Sequence, residues 1–426
     1  MRLYSTLQRE KVDLPPPPGP IRMYFCGPTV YARAHVGNAR PFVVGMWLRN
    51  WLRTRGYDTT LVHNITDIND KIYAAAGDGS SGELAAKATR WYLEDTAALG
   101  LGLPDHLPKA TEAVPQIVGF ISQLVDSGHA YVAGGDVYFR VASYPAYGEL
   151  SRRRVDQVEG QDEEDRPNPL KLDSRDFALW KANKPDEDTS WDSPWGRGRP
   201  GWHIECSAMA EELLGPAFEI HGGGLDLVFP HHENELAQSR ALGHEFAHLW
   251  VHNGMLRFTG EKMSKSEGNV VTIRDALDRW GHETFLLFLL TGQWGKPIDF
   301  SEATMDQARA QLETFRNALL HDATSHADWS ELEAVLDDDF NTPEALAVLH
   351  RWRAAGATDD VARGLALFGI GGAREDAPDL VRGLAEDRQR AREARAFDEA
   401  DRLRAAIEEH GWEVRDVADG FQLVPK

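Results

Sequence analysis

Residues 21–63 decide the fold, and they read IRMYFCGPTVYARAHVGNARPFVVGMWLRNWLRTRGYDTTLVH. The apolar run at 21–25 predicts a strand. Apolar residues at helical spacing from Phe42 to Leu52 predict a helix that ends at Gly56, and a second strand follows at 59–63. A strand, a helix and a strand in this order form a βαβ unit, the building block of a parallel α/β sheet.

The rest of the chain divides into three predicted domains around this unit. We expect a Rossmann-like parallel-sheet domain over 1–300, with an insertion at about 104–200 that carries an acidic surface loop at 159–166. An α-helical bundle domain follows over 301–387. A small C-terminal α+β domain over 388–426 begins with one charged helix, predicted to run from 388 to 409, and ends in short strands.

The composition is that of a globular protein outside membranes. The 426 residues are 42% hydrophobic and 27% charged, and the longest apolar run, at 285–290, is far too short to cross a bilayer. The N-terminus lacks a signal-peptide core, so we expect a cytoplasmic protein. The net charge of −21 weakens long-range attraction to nucleic acid. An RNA partner would therefore need local basic patches and shape-based contacts.

Four residues form a candidate metal site. Cys26 and Cys206 are the two cysteines of the chain, and their cytosolic setting argues against a disulfide. His231 and Glu235 stand four residues apart on a predicted helix, so their side chains share one face. Two thiolates, an imidazole and a carboxylate are all acceptable zinc donors. The alternative is a surface His–Glu pair beside two unrelated buried thiols.

A candidate phosphate site lies where the first strand leads into the helix. His35, Gly37 and Asn38 occupy this junction, where backbone amides and the positive end of the helix dipole favour anions. Histidine can donate to a phosphate oxygen, and glycine allows close approach of a nucleotide. The alternative is a chance His-x-Gly-x sequence.

A basic pentapeptide, KMSKS at 262–266, is a candidate closing loop. Lys262 and Lys265 are flanked by small residues and a glycine, which suits a loop that closes over a triphosphate. Their charges would stabilise negative charge that develops on the phosphates. The alternative is a solvated basic loop.

Together these motifs resemble a known family. HVGN at 35–38 and KMSKS at 262–266 resemble the two signatures of class I aminoacyl-tRNA synthetases. The segments YFCGPTVY (24–31), GRPGWHIEC (198–206) and FPHHENE (229–235) are similar to the cysteinyl-tRNA synthetase family. The likeness runs from about Leu3 to the C-terminal segment.

The resemblance assigns roles to individual residues. It implies that 1–300 is the catalytic domain and that one Zn²⁺ per chain is held by Cys26, Cys206, His231 and Glu235. It implies catalytic roles for His35, Asn38, Lys262 and Lys265, and ATP contacts by His35, Gly37, Asn38, Asp226 and Lys265. It also implies an amino-acid pocket lined by Thr66, Trp202 and His221. Ala32 and Asn69 depart from the usual family pattern, outside the core motifs.

The implied reaction has two steps and three substrates. The carboxylate of L-cysteine attacks the α-phosphorus of ATP, supplied with Mg²⁺, giving cysteinyl-adenylate and pyrophosphate. The acyl group then passes to the 3′ end of cysteine tRNA. A soft thiolate can bond to zinc in a way that serine's hydroxyl does not match, so the metal would select the amino acid. We expect a monomer.

The C-terminal segment bears on two alternative functions. A ligase of mycothiol biosynthesis, which joins cysteine to an amino sugar, would share the catalytic motifs. A non-catalytic paralogue would bind tRNA or nucleotide as a regulator. Arg392, Asp401 and Asp416 match positions that the synthetase family uses against the anticodon, within a domain that the sugar ligase lacks. The ending FQLVPK at 421–426 departs from the family's usual Trp-Arg ending.

Overall fold

The computed structural model describes residues 1–154, 168–185, 187–258, 271–371, 377–417 and 420–425. The strands in these residues are β1 (Arg2–Ser5), β2 (Glu10–Asp13), β3 (Pro20–Phe25), β4 (Asp58–His63), β5 (Ala130–Ala133), β6 (Asp136–Phe139), β7 (Phe177–Ala182), β8 (Gly198–Pro200), β9 (Ala217–Gly224), β10 (Phe246–Asn253), β11 (Leu256–Phe258), β12 (Ile298–Phe300), β13 (Trp412–Val417) and β14 (Gly420–Pro425).

The α-helices are α1 (Val36–Thr54), α2 (Asp70–Ala76), α3 (Ser81–Ala97), α4 (Val114–Asp126), α5 (Trp202–Leu214), α6 (His231–Ala241), α7 (Ile273–Trp280), α8 (His282–Leu290), α9 (Glu302–Leu319), α10 (Trp329–Asp337), α11 (Thr342–Ala354), α12 (Thr358–Ala366), α13 (Asp379–Glu393) and α14 (Phe397–Glu409). No helix in the described part of the chain is long and apolar enough to cross a membrane.

The central sheet has the strand order β10-β9-β3-β4, and all its pairs are parallel. This confirms the α/β fold class predicted from the first βαβ unit. The chain first moves from β3 to β4 on one side, and later returns to β9 on the other side of β3. In open α/β sheets, ligands bind where the strand order reverses in this way, at the carboxyl ends of the strands. The carboxyl end of β3 is therefore the expected position of a ligand-binding site.

The inserted region forms a separate antiparallel sheet with the order β5-β6-β7-β8. Its core includes the stacked rings of Phe139 and Phe177, whose centroids lie 5.0 Å apart. The apolar face of α4 packs into the same core through Ile117 and Leu124. The chain enters α5 two residues after β8, so this sheet leads directly to the Trp202–Cys206 segment. The acidic loop predicted at 159–166 lies outside the described residues.

Helices α9 to α12 form the predicted helical region. Their apolar faces share one core, to which Phe315, Leu336 and Leu349 contribute fully buried side chains. An N-terminal hairpin of β1 and β2 is fastened to this region. Arg2 and Lys11 both bind the carboxylate of Asp338, the C-cap residue of α10, at 2.8 and 2.7 Å. Thr6 N, just after β1, connects the hairpin to the central sheet by donating to Trp250 O on β10 at 2.8 Å.

The C-terminal residues form a small unit with its own core. Helices α13 and α14 pack on the β13–β14 hairpin around Val381, Ala385, Ile407, Trp412 and Val414. The prediction of one helix over 388–409 is wrong. The chain turns between α13 and α14, where Arg395 has the left-handed φ of 60°. A boundary between 387 and 388 would fall inside α13. The domain boundaries stay predictions.

Candidate metal centre and nucleotide-binding turn

The predicted site residues gather at the carboxyl ends of the central strands. Cys26 directly follows β3, Thr66 lies three residues after β4, and Asp226 lies two residues after β9. The turn after β3 is tight, because a Cβ on Gly27 would lie 1.7 Å from the carbonyl oxygen of Asn64. Only glycine fits there without moving the backbone of that segment.

Cys26, Cys206, His231 and Glu235 form one buried cluster, as predicted from their residue types. Their donor atoms lie within 4.8 Å of one another. Cys26 Sγ is 3.8 Å from Cys206 Sγ and 3.6 Å from Glu235 Oε1, and His231 Nε2 is 2.9 Å from the same oxygen. The cluster is assembled from the turn after β3, from α5 and from one face of α6. These four residues form a candidate metal site.

The electrostatics of the cluster fit a cation. Burial opposes ionisation of Glu235, but His221 and His231 hold the pKa of its carboxyl down at about 2. Burial also opposes protonation of His231, but Glu235 and Cys206 raise its pKa to about 10. Burial raises the pKa of the Cys26 thiol well above its usual range. A metal bound by these donors would take the place of the protons on His231 and Cys26.

Further histidines surround the cluster, and the sequence patterns did not indicate three of them. His232 Nε2 lies 3.3 Å from Cys26 Sγ, and His232 Nδ1 lies 2.7 Å from His252 Nε2. His203 Nδ1 lies 3.0 Å from His231 Nδ1. Burial and the neighbouring histidines lower the pKa of His232 well below the usual value, so this ring is neutral. The adjacent pair His231–His232 was the one sign in the sequence that a further histidine could lie near the cluster. Adjacent helical residues point in different directions, so the two rings of such a pair reach different parts of a site.

The residues predicted to line an amino-acid pocket have different environments. The indole of Trp202 stacks on the ring of His231, with centroids 4.1 Å apart. Thr66 is buried, and its hydroxyl accepts from Asn64 Nδ2 at 3.2 Å. His221 Nε2 lies 2.7 Å from Glu235 Oε2, so this histidine contacts a candidate metal ligand.

The predicted phosphate turn is the N-terminus of α1. His35 is the N-cap residue, and its Nδ1 accepts from Gly37 N at 3.1 Å, while Asn38 Oδ1 accepts from His35 N at 3.2 Å. A neutral His35 that accepts at Nδ1 carries its proton on Nε2. The start of α7 pairs with this turn, since Val36 N donates to Val271 O and Ile273 N donates to Ala34 O.

Other predicted ATP contacts lie elsewhere or are not described. Asp226 is exposed in the short 3₁₀ turn Leu225–Val228 after β9. Its carboxylate lies close to the backbone of Gly224, where an added Cβ would be 2.3 Å from Asp226 Oδ1 and would require this exposed side chain to turn away. Lys262 and Lys265 lie outside the described residues.

Two of the three residues predicted to contact an anticodon bind each other. Asp416 accepts from Arg388 Nη1 at 2.8 Å and forms an ion pair with Arg392. Asp401 is exposed on α14. The structure thus brings Arg392 and Asp416 together through contacts within the unit.

The fold is that of class I aminoacyl-tRNA synthetases. The structure is similar to a Mycobacterium tuberculosis methionyl-tRNA synthetase in complex with methionyl-adenylate, with a TM-score of 0.55 and 14% identity, over 87% of this chain and 84% of that one. It is also similar to LeuRS of Agrobacterium radiobacter K84 in a ternary complex with tRNA and LeuAMS, with a TM-score of 0.57 and 13% identity, over 84% of each chain.

Sequence comparison narrows the class to one family. Residues 15–310 match the family described as tRNA synthetases class I (C) catalytic domain, and residues 331–354 match the DALR domain. A cysteine–tRNA ligase of Jannaschia sp. (strain CCS1) is 44% identical, over 97% of this chain and 95% of the relative. Another, of Halorhodospira halophila, is 43% identical over 99% and 98%. The chain belongs to the cysteinyl-tRNA synthetase family.

Proposed function

We propose that this chain is a cysteine–tRNA ligase that activates L-cysteine with ATP and transfers it to cysteine tRNA. The observation that carries this proposal is the buried Cys26–Cys206–His231–Glu235 cluster at the switch point of the sheet, beside the capped N-terminus of α1. Relatives named as cysteine–tRNA ligases align over nearly the whole chain, including the C-terminal unit.

Selection of cysteine follows from the donor set of the cluster. Two thiolates, one imidazole and one carboxylate suit zinc, which when bound supplies a soft Lewis acid for the substrate sulfur. We assign one Zn²⁺ per chain to this site. Trp202, stacked on His231, would cover one side of the bound amino acid, and the buried Thr66 would narrow the pocket. The hydroxyl of serine is a poorer match for such a site.

Activation of cysteine requires the phosphates of ATP, with Mg²⁺, beside this pocket. The first backbone amides of α1 and its positive dipole end favour negative charge. His35 would donate from Nε2–H to a phosphate oxygen, while its Nδ1 keeps the ring on Gly37 N. Asn38 fixes the backbone of His35, and Asp226 is exposed at the same edge of the sheet, suited to a ribose hydroxyl. Lys262 and Lys265 would stabilise the charge of the leaving pyrophosphate.

The acceptor distinguishes this proposal from an amino-sugar ligase. The α13–β14 unit has its own core and presents Asp401 on an exposed face, which suits contact with a large partner such as tRNA. In the proposed complex, Arg392 and Asp416 would contact anticodon bases together with Asp401. We expect the protein to be a monomer and to act outside membranes.

The test is a pair of reactions with the purified full-length chain. Cysteine-dependent exchange of pyrophosphate into ATP measures activation, and charging of a cysteine tRNA transcript measures transfer. The amino sugar serves as competing acceptor, and serine as competing amino acid. We expect exchange with cysteine and not with serine, about one zinc per chain, and charging of the tRNA. Ligation to the amino sugar without charging would contradict the proposal, and the absence of exchange would indicate a binding protein.

A further inference from the structure

A buried carboxylate on α3 links the two segments that border the proposed ATP site. Asp95 Oδ1 accepts from Arg33 Nη1 at 3.1 Å and from Arg274 Nε at 3.0 Å. The side chain of Asp95 is fully buried, whereas Arg33 and Arg274 remain 28% and 33% exposed. Arg33 lies two residues before His35, and Arg274 lies two residues after Thr272, the N-cap of α7. Asp95 thus contacts both segments at once.

The place of Asp95 is unfavourable for a carboxylate unless it is compensated. Asp95 lies in the last turn of α3, where the helix dipole is negative. Burial raises the pKa of its carboxyl, and Arg33 and Arg274 oppose this rise. Its second oxygen, Oδ2, has no hydrogen-bond partner among the described residues. The ion pairs with the two guanidinium groups are therefore the interactions that keep the carboxylate of Asp95 negatively charged.

The two segments that Asp95 joins both carry positive charge, although two backbone hydrogen bonds connect them. The N-termini of α1 and α7 meet, since His35 and Thr272 form a β-bridge and Val36 N donates to Val271 O at 3.1 Å. Both helix ends carry positive partial charge, and Arg33 and Arg274 add two full positive charges nearby. Asp95 supplies a negative charge between the two guanidinium groups. Without it, the two arginines would face each other across the junction.

We infer that Asp95 is a positioning residue for ATP: through Arg33 and Arg274 it holds the His35 turn and the start of α7 together. This inference rests on the proposed function, because it needs ATP phosphates at the N-terminus of α1. Asp95 lies on α3, outside the candidate metal cluster. Its substitution should therefore weaken the binding of ATP and leave the binding of cysteine unchanged. Trp91, one turn earlier on α3, lies under the guanidinium of Arg33 at 5.4 Å and keeps that side chain in place.

The test is the substitution Asp95→Asn, which keeps the size of the side chain and removes its charge. In pyrophosphate exchange we expect the KM for ATP to rise about tenfold, because the phosphate turn is held less firmly. The KM for cysteine and the zinc content should stay within about twofold of the parent. Adding Arg33→Gln to Asp95→Asn should restore part of the ATP affinity, since it removes the repulsion between the two guanidiniums.

A matched control separates positioning from general stability. Glu283→Gln removes a carboxylate that pairs with Arg316 at 2.6 Å between α8 and α9. It should lower the melting temperature and leave both KM values unchanged. Equal changes of the ATP and cysteine KM values in Asp95→Asn, or an unchanged ATP KM in a folded variant, would overturn the inference. A parent protein without any exchange activity would instead overturn the proposed function.

Discussion

The candidate metal cluster and the C-terminal unit hold their charged residues in opposite ways. In the cluster, Cys26, Cys206, His231 and Glu235 are buried, and the ends of strands and helices fix their positions. In the C-terminal unit, Asp416 on β13 is 42% exposed and pairs with the buried Arg388 and the partly exposed Arg392, while Asp401 is exposed on α14. Where the fold brings side chains together, as in the cluster, the residue types are enough to indicate what the site binds. On an exposed face, the role depends on the partner.

The largest expected effect tests the buried side of this comparison. Cys206→Ser replaces a thiolate donor by a hydroxyl that remains protonated at neutral pH, so the site should lose metal. We expect zinc affinity and cysteine activation to fall more than about 100-fold. Metal analysis of the purified protein and pyrophosphate exchange measure this.

Ser207→Ala is the matched control for that substitution. Ser207 is the next residue on α5, is fully buried, and has no hydrogen-bond partner for its hydroxyl among the described residues. Its removal should leave the zinc content unchanged. Full zinc content in Cys206→Ser would show that Cys206 is not a ligand.

A middle-sized effect is expected from removing the C-terminal unit. The core of this unit includes Val381 on α13, so the chain is best ended after Gly371, before that helix. Pyrophosphate exchange should stay near normal. The KM for tRNA should rise by about one to two orders of magnitude, which corresponds to lost base contacts worth about 1.4–2.8 kcal/mol in total.

The control for the truncation is Arg402→Gln. It removes an exposed charge on α14 that pairs only with Glu399 in the described structure, and should leave charging unchanged. A truncated protein that charges tRNA as well as the full chain would contradict the role of this unit in tRNA recognition.

The smallest expected effect concerns the pH dependence of the C-terminal unit. A hydrogen bond from Arg388, together with Arg392, holds the pKa of the Asp416 carboxyl below its usual range. Its stabilising contribution is therefore complete above the ordinary aspartate pKa of about 3.9, and is lost as the pH falls through the lower value of the folded state. Because the group is 42% exposed, we expect less than about 1 kcal/mol.

Hydrogen-exchange protection in residues 379–417, followed from about pH 5 down to about pH 2, covers the range below the ordinary aspartate pKa and measures this effect. The parent should lose protection as the medium becomes acidic, whereas Asp416→Asn should start lower and depend less on pH. An equally steep loss in both proteins would show that another group controls the acid sensitivity.

The sequence predicted the fold because a strong local pattern encodes it, whereas the family resemblance was needed to group the four residues of the candidate metal cluster. The βαβ pattern at 21–63 fixes a parallel sheet, and His231 and Glu235 share a helix face by their spacing. The buried His203 and His252 were not predicted, because a histidine inside an apolar segment has no pattern that separates it from ordinary core residues. The turn at Arg395 was missed because the left-handed residue is not a glycine.

The order of the strands also has a consequence for synthesis on the ribosome. Cys26 leaves the ribosome 209 residues before Glu235, which takes about 10–40 s at about 5–20 residues per second. During this time β3 can pair with β4, but the edge that later receives β9 stays open. The hairpin contact of Arg2 with Asp338 waits for a further hundred residues or so. The nascent chain thus carries a single thiol until α5 has emerged, an open strand edge until β9 has emerged, and an incomplete donor set until α6 has emerged.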